Sequence, residues 1–157
     1  MGAGYCVPAL SRRAASADRS IESVRLMASE ILLVEDSRFL RRASERSLTR
    51  AGFEVSTAAD GEEALRLAEK NMPDIILLDL MLPKLSGQEV LRKLKANPAT
   101  AAIPVIVLTS LSQRNEDKLL QEGAEAYFEK AALKLDKNPD RLASAVAQIL
   151  QRRATRR

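Results

Sequence analysis

A chain of 157 residues suffices for one compact core, since domains commonly run about 100 to 150 residues. Its composition, 46% hydrophobic and 29% charged without any apolar run near the ~20 residues of a bilayer span, excludes a helical membrane protein. The absence of histidine excludes a Ser-His-Asp triad, an imidazole-ligated zinc site and a phosphohistidine carried on this chain, and the single Cys6 excludes an intramolecular disulfide framework. A cytoplasmic location is expected. The net charge of +4 resides in the ends: residues 1–29 carry four Arg against two acids and residues 152–157 carry four Arg, which leaves the middle acidic on balance. No basic, nucleic-acid-binding body is therefore expected, and the terminal arginines read as a solubilising helix end and basic tail.

Residues 1–29, rich in Ala, Ser and Arg without an apolar period, are expected to be a disordered leader. It has no secretory h-region, Asp18 and Glu22 speak against an organelle transit peptide, and Met27 offers an alternative start. A single domain is expected over residues 30–151. Ile31-Leu32-Leu33-Val34, Ile75-Ile76-Leu77-Leu78 and Val105-Ile106-Val107-Leu108 are short continuous apolar runs, the pattern of parallel strands covered on both faces. Phe53–Thr57 reads as a more exposed strand and Ala126–Glu129 as a short fifth. Between them lie helix signals: Gly52 stops the first helix, Asp60 with Glu63 forms a capping box, and Asn138-Pro139 opens a last helix. In that helix Leu142, Ala145, Val146, Ile149 and Leu150 should face the sheet. Five strand–helix alternations imply an α/β doubly wound fold, a parallel five-stranded sheet flanked by five helices.

Ligands of such sheets bind beyond the carboxyl ends of the strands. There the sequence sets Glu35-Asp36, Asp79, Thr109-Ser110 and Lys130. Crowded carboxylates persist at neutral pH around a hard cation, and magnesium suits a small acidic cluster that retains water. Lysine and hydroxyl would then hold phosphoryl oxygens, which leaves a carboxylate, Asp79 on the middle strand, as the nucleophile. Taken singly, Thr109 reads equally as a turn hydroxyl and Lys130 as a solvated surface lysine.

Glu35-Asp36-Ser37, Asp79-Leu80-Met81-Leu82-Pro83 with Gly87, Thr109-Ser110 and Lys130, in that order, resemble the motif set of two-component receiver domains over about residues 30–150. The resemblance implies strand order 2-1-3-4-5 and a phosphoacceptor role for Asp79. It implies Mg2+ held by Asp36, Asp79 and the Met81 carbonyl with Glu35 acting through water, and phosphoryl binding by Thr109 and Lys130. It further implies a switch coupling Thr109 to Tyr127, which reads as well as a buried strand tyrosine. The implied partners are a sensor histidine kinase or histidine phosphotransfer protein, and a downstream protein bound by the face of the fourth helix, fifth strand and fifth helix. The chain is expected to act as a stand-alone receiver, a monomer or a phosphorylation-dependent dimer, that modifies itself and turns over no separate metabolite. The competing reading is a phosphorylation-independent interaction module.

Three local features depart from the family's pattern or shape its loop. Ala131 stands where a proline commonly follows the lysine, so a trans bond and a rearranged loop over Ala131–Asn138 are expected, since a cis bond without proline costs roughly 2.5 to 4 kcal/mol. Ser110 replaces a small residue beside the hydroxyl and is expected to prolong the phosphorylated state by restricting water. Pro83 and Gly87 are expected to shape the loop after Asp79, Pro by fixing φ and Gly by tolerating unusual backbone angles.

Overall fold

The computed structural model describes residues 29–110, 116–134, 137–138 and 140–156. The expected leader, Ser29 apart, lies outside the described residues, as does Pro139. The strands are β1 (Glu30–Val34), β2 (Glu54–Ala58), β3 (Ile75–Asp79), β4 (Val105–Thr109) and β5 (Ala126–Glu129). The helices are α1 (Arg38–Arg50), α2 (Gly61–Asn71), α3 (Gly87–Ala96), α4 (Glu116–Gln121), α5 (Lys130–Leu133) and α6 (Asp140–Thr155). All strand pairs are parallel, in the order β2-β1-β3-β4-β5.

The apolar runs become strands buried on both faces because alternate side chains point to opposite sides of a pleated sheet. Ile76, Leu78, Val105 and Val107 enter a core under α2, α3 and α4, where Ala68, Leu91 and Leu119 are buried. Ile75, Leu77, Ile106 and Leu108 enter a second core against α1 and α6, with Leu48, Val146 and Ile149. β2 lies at one edge and is only partly buried, as its more polar sequence predicts.

Six helices, not five, are seen among the described residues, because the segment after Lys130 does not run on as a plain loop. It closes a single helical turn, α5, which Lys134 ends in the left-handed region at φ 50°. None of the described peptide bonds is cis, so Lys130–Ala131 is trans. α6 begins at Asp140 and continues through Arg152 and Arg153 to Thr155, so much of the expected basic tail is helix. Within it Ala143 is buried while Ala145 is only half-buried, because the helix presents a slightly rotated stripe to the sheet.

The helix ends follow local chemistry. Gly52 takes φ 100° after α1 and accommodates the reversal into β2. Asp60 caps α2 through a 2.8 Å bond from the Glu63 amide, but the Glu63 carboxylate returns to the Ala59 amide (3.1 Å), one residue before the expected partner. A full capping box forms instead at α3, between Ser86 and Glu89.

Candidate functional site at the carboxyl edge of the sheet

β1 ends at Val34, and the chain continues through Glu35 and Asp36 to Ser37, whose hydroxyl caps α1 by accepting from the Leu40 amide at 3.4 Å. Glu35 is held in place by its main chain: its amide donates to the Ala58 carbonyl (3.0 Å), and Arg41 Nη1 donates to the Glu35 and Asp36 carbonyls at 2.9 and 3.3 Å. Arg41 escaped the sequence reading. Its signal is a cation one turn into a helix that directly follows an acidic pair.

Asp79 is the last residue of β3 and is 3% exposed, Glu35 is 5% exposed, and Asp36 is open to solvent. One carboxylate oxygen from each of these three acids lies within 4.8 Å of the other two. Lys130, the first residue of α5, inserts between the two buried acids. Its Nζ donates to Glu35 Oε2 at 2.5 Å and to Asp79 Oδ2 at 3.0 Å. The remaining oxygens are occupied by main chain, Glu35 Oε1 by the Ser37 amide (3.2 Å) and Asp79 Oδ1 by the Met81 amide (3.2 Å).

Burial pushes the Glu35 carboxyl up to about 6, opposed by the Lys130 hydrogen bond and reinforced by the charge of Asp79. Burial also works against the charge of Lys130, but its hydrogen bonds to Glu35 and Asp79 outweigh this and raise it above the ordinary lysine value. The lysine is thus a firmly held cation, set between two buried carboxylates.

Thr109 ends β4, fully buried, one residue beyond Leu108, the strand partner of Asp79. Tyr127 lies lower on β5, opposite Val107, half-buried against the core beneath α2, α3 and α4. Its phenol is raised above its usual value by burial, with Glu129 and Glu116 adding to the effect. The structure therefore gathers Glu35, Asp36, Asp79 and Lys130 into one contact group, sets Thr109 at the end of the adjacent strand, and leaves Tyr127 further down. The Met81 side chain is 58% exposed at the rim.

The loop after Asp79 differs from expectation in its glycine. Gly87 is not at positive φ; the left-handed residue is Lys84, at φ 67°. Gly87 is required by space, since a Cβ there would lie 2.4 Å from the Asp79 carbonyl oxygen and 2.6 Å from Leu80 Cα. Its amide donates to the Leu80 carbonyl (2.9 Å), so the start of α3 presses directly on the end of β3. Lys84 reaches Asp60 at 3.4 Å and Glu62 at 3.8 Å, which ties the same loop to the start of α2.

Residues 31–146 match the family model of the response regulator receiver domain. The chain is 44% identical over 106 residues to the response regulator PleD of Caulobacter vibrioides, and 46% identical over 105 residues to a gliding motility regulatory protein of Myxococcus xanthus. Each alignment covers 66% of this chain but only 23% and 13% of the relative, so the chain spans a minor part of those curated proteins. Among solved structures, the receiver domain of the Francisella response regulator 1452 superposes with a TM-score of 0.70 at 28% identity, covering 79% of this chain and 98% of that one. The receiver domain of sensor histidine kinase PA1611 from Pseudomonas aeruginosa, solved with a magnesium ion coordinated in its active site cleft, superposes at 0.69 and 30% identity with the same coverage.

Proposed function

Because the chain belongs to the response regulator receiver domain family of two-component systems, we propose that it is a phosphorylation switch in which Asp79 accepts a phosphoryl group from the phosphohistidine of a sensor histidine kinase or histidine phosphotransfer protein. The observation that carries this reading is the contact of Lys130 with Asp79 beside two further carboxylates. An Asp79 oxygen attacks phosphorus, the phosphorus–nitrogen bond breaks, and the released imidazole takes up a proton. Lys130, already 3.0 Å from Asp79, neutralises the oxygens of the transferred group, and Thr109 at the adjacent strand end supplies a hydroxyl to them.

Three carboxylates within 4.8 Å form an all-oxygen donor set of the kind that suits magnesium. As the family resemblance implies, Asp36, Asp79 and the Met81 carbonyl would hold the ion directly and Glu35 through water. Bound there, magnesium supplies positive charge to the phosphoryl oxygens. The resulting signal is a changed protein-binding face of α4, β5 and α6, with Thr109 and Tyr127 as the coupled residues. The chain acts by this self-modification in the cytoplasm, as a monomer or a phosphorylation-dependent dimer, and turns over no separate metabolite.

The test is intact-mass measurement after incubation with acetyl phosphate, with and without magnesium, on wild type and Asp79→Ala. One magnesium-dependent phosphoryl mass in wild type, absent from the variant, is expected. A wild type labelled neither by acetyl phosphate nor by any partner kinase would instead make it a phosphorylation-independent binding module.

A further inference from the structure

Of the three clustered carboxylates, Asp36 is the least restrained. Asp79 ends a central strand and accepts from Lys130 and the Met81 amide, and Glu35 accepts from Lys130 and the Ser37 amide. The Asp36 carboxylate is exposed and accepts no hydrogen bond among the described residues. Its main chain lies between the end of β1 and the start of α1 and belongs to neither element. Arg41 reaches it there, its Nη1 donating to the Glu35 carbonyl at 2.9 Å and to the Asp36 carbonyl at 3.3 Å. Among the described residues no other hydrogen bond engages Asp36.

Arg41 is half-buried in the first turn of α1 and makes no ion pair among the described residues, so it sits beside an acidic cluster without pairing with any of its carboxylates. In this it differs from Lys130, which occupies carboxylate oxygens of Glu35 and Asp79. A single guanidinium nitrogen carries two hydrogens and serves both carbonyls. Two successive carbonyls turned to one nitrogen cannot swing independently, so the peptide planes on either side of Asp36 are fixed, and the Cα–Cβ bond of Asp36 moves only with those planes. A ligand fixed in advance loses less freedom when an ion binds, and hydrogen bonds that orient metal ligands commonly raise affinity for that reason.

We infer that Arg41 is a positioning residue for Asp36: by holding two successive main-chain carbonyls it presets the exposed carboxylate beside Glu35 and Asp79 and strengthens magnesium binding. This rests on the magnesium-binding reading above and adds a residue that touches neither the ion nor a ligand oxygen of the acidic cluster. Charge and position predict opposite results for its removal. A bare cation repels magnesium, so loss of its charge alone would tighten binding, whereas loss of the clamp weakens it.

The experiment titrates the full chain with magnesium chloride at fixed ionic strength, as wild type, Arg41→Met and Arg42→Met, and follows backbone amides by NMR. Arg42, exposed on the same helix, serves as the control for charge. Circular dichroism sets a temperature at which all three are folded. The dissociation constant is expected to rise by about tenfold in Arg41→Met and to stay the same or fall in Arg42→Met. A constant unchanged or lowered in Arg41→Met would overturn the proposal even if urea unfolding without magnesium showed lost stability, because a purely structural role moves only the latter. Equal weakening in Arg42→Met would overturn it as well. Should Arg41→Met not fold, Arg41→Lys, which keeps the charge on a shorter stem without the planar guanidinium, is titrated in its place; weaker binding is expected, and an unchanged constant would count against the clamp. A wild type that binds no magnesium would strike the magnesium reading itself, and this proposal with it.

Discussion

Lys130 links two buried carboxylates that no other side-chain cation contacts among the described residues, so its removal leaves two unpaired charges at a desolvated edge. Breaking a buried pair on one side is far more costly than the pair is worth, although the opening of this site to solvent moderates the loss. Lys130→Met is therefore expected to lower unfolding stability in urea by about 2 kcal/mol at neutral pH without divalent cation. Adding Asp79→Asn should restore a substantial part of it, a coupling read directly from the double-mutant cycle. Ser110, exposed beside Thr109, is expected to shield the acyl phosphate from water. Ser110→Ala should then lose radiolabelled phosphate several-fold faster, and an unchanged half-life would remove that role.

At the scale of elements, the helices around the site are held by caps of unequal quality. Asp60 accepts from Glu63 at 2.8 Å and is paired with Lys84, whereas Ser37 accepts from Leu40 at a long 3.4 Å. Asp60→Ala should cost about 1 kcal/mol and Ser37→Ala distinctly less, measured by chemical denaturation. The bond from the Glu63 amide holds the Asp60 carboxyl below its ordinary value of 3.8, with burial opposing this and Lys84 adding to it. A group depressed in the folded state contributes stability above its unfolded pKa and loses it as pH falls through the folded value. Asp60→Asn, which keeps a capping oxygen but cannot titrate there, should consequently show a shallower loss of stability than wild type as pH falls below 3.8.

For the molecule as a whole, one sheet serves two cores, and neighbouring residues of β3 belong to different ones: Leu77 faces α1 and α6, while Leu78 faces α2, α3 and α4. Both are fully buried. Leu77→Ala and Leu78→Ala should each cost about 2–5 kcal/mol. Because every strand links both layers, circular dichroism and a fluorophore placed on either helical layer should report one coincident transition in each variant. Two separated transitions would mean that the layers unfold independently.

The parts of this protein that sequence alone determined are those written in short stretches of chain. Continuous apolar runs demand strands covered on both sides, and their polar ends necessarily gather at one edge of a parallel sheet, so the five strands and the positions of Glu35, Asp36, Asp79 and Lys130 were all legible. The order of the strands came from family resemblance. Only the tertiary structure decided what depends on residues far apart in sequence or on which face of a helix is covered. Lys130 meets Glu35, 95 positions away along the chain. Gly87 is dictated by the nearby Asp79 carbonyl and not by its own φ, and Ala143 replaces Ala145 in the core through a small rotation of α6. Arg38, Arg42, Arg46 and Arg50 lie on the solvent face of α1 because Ser44, Ser47 and Leu48 turn inward.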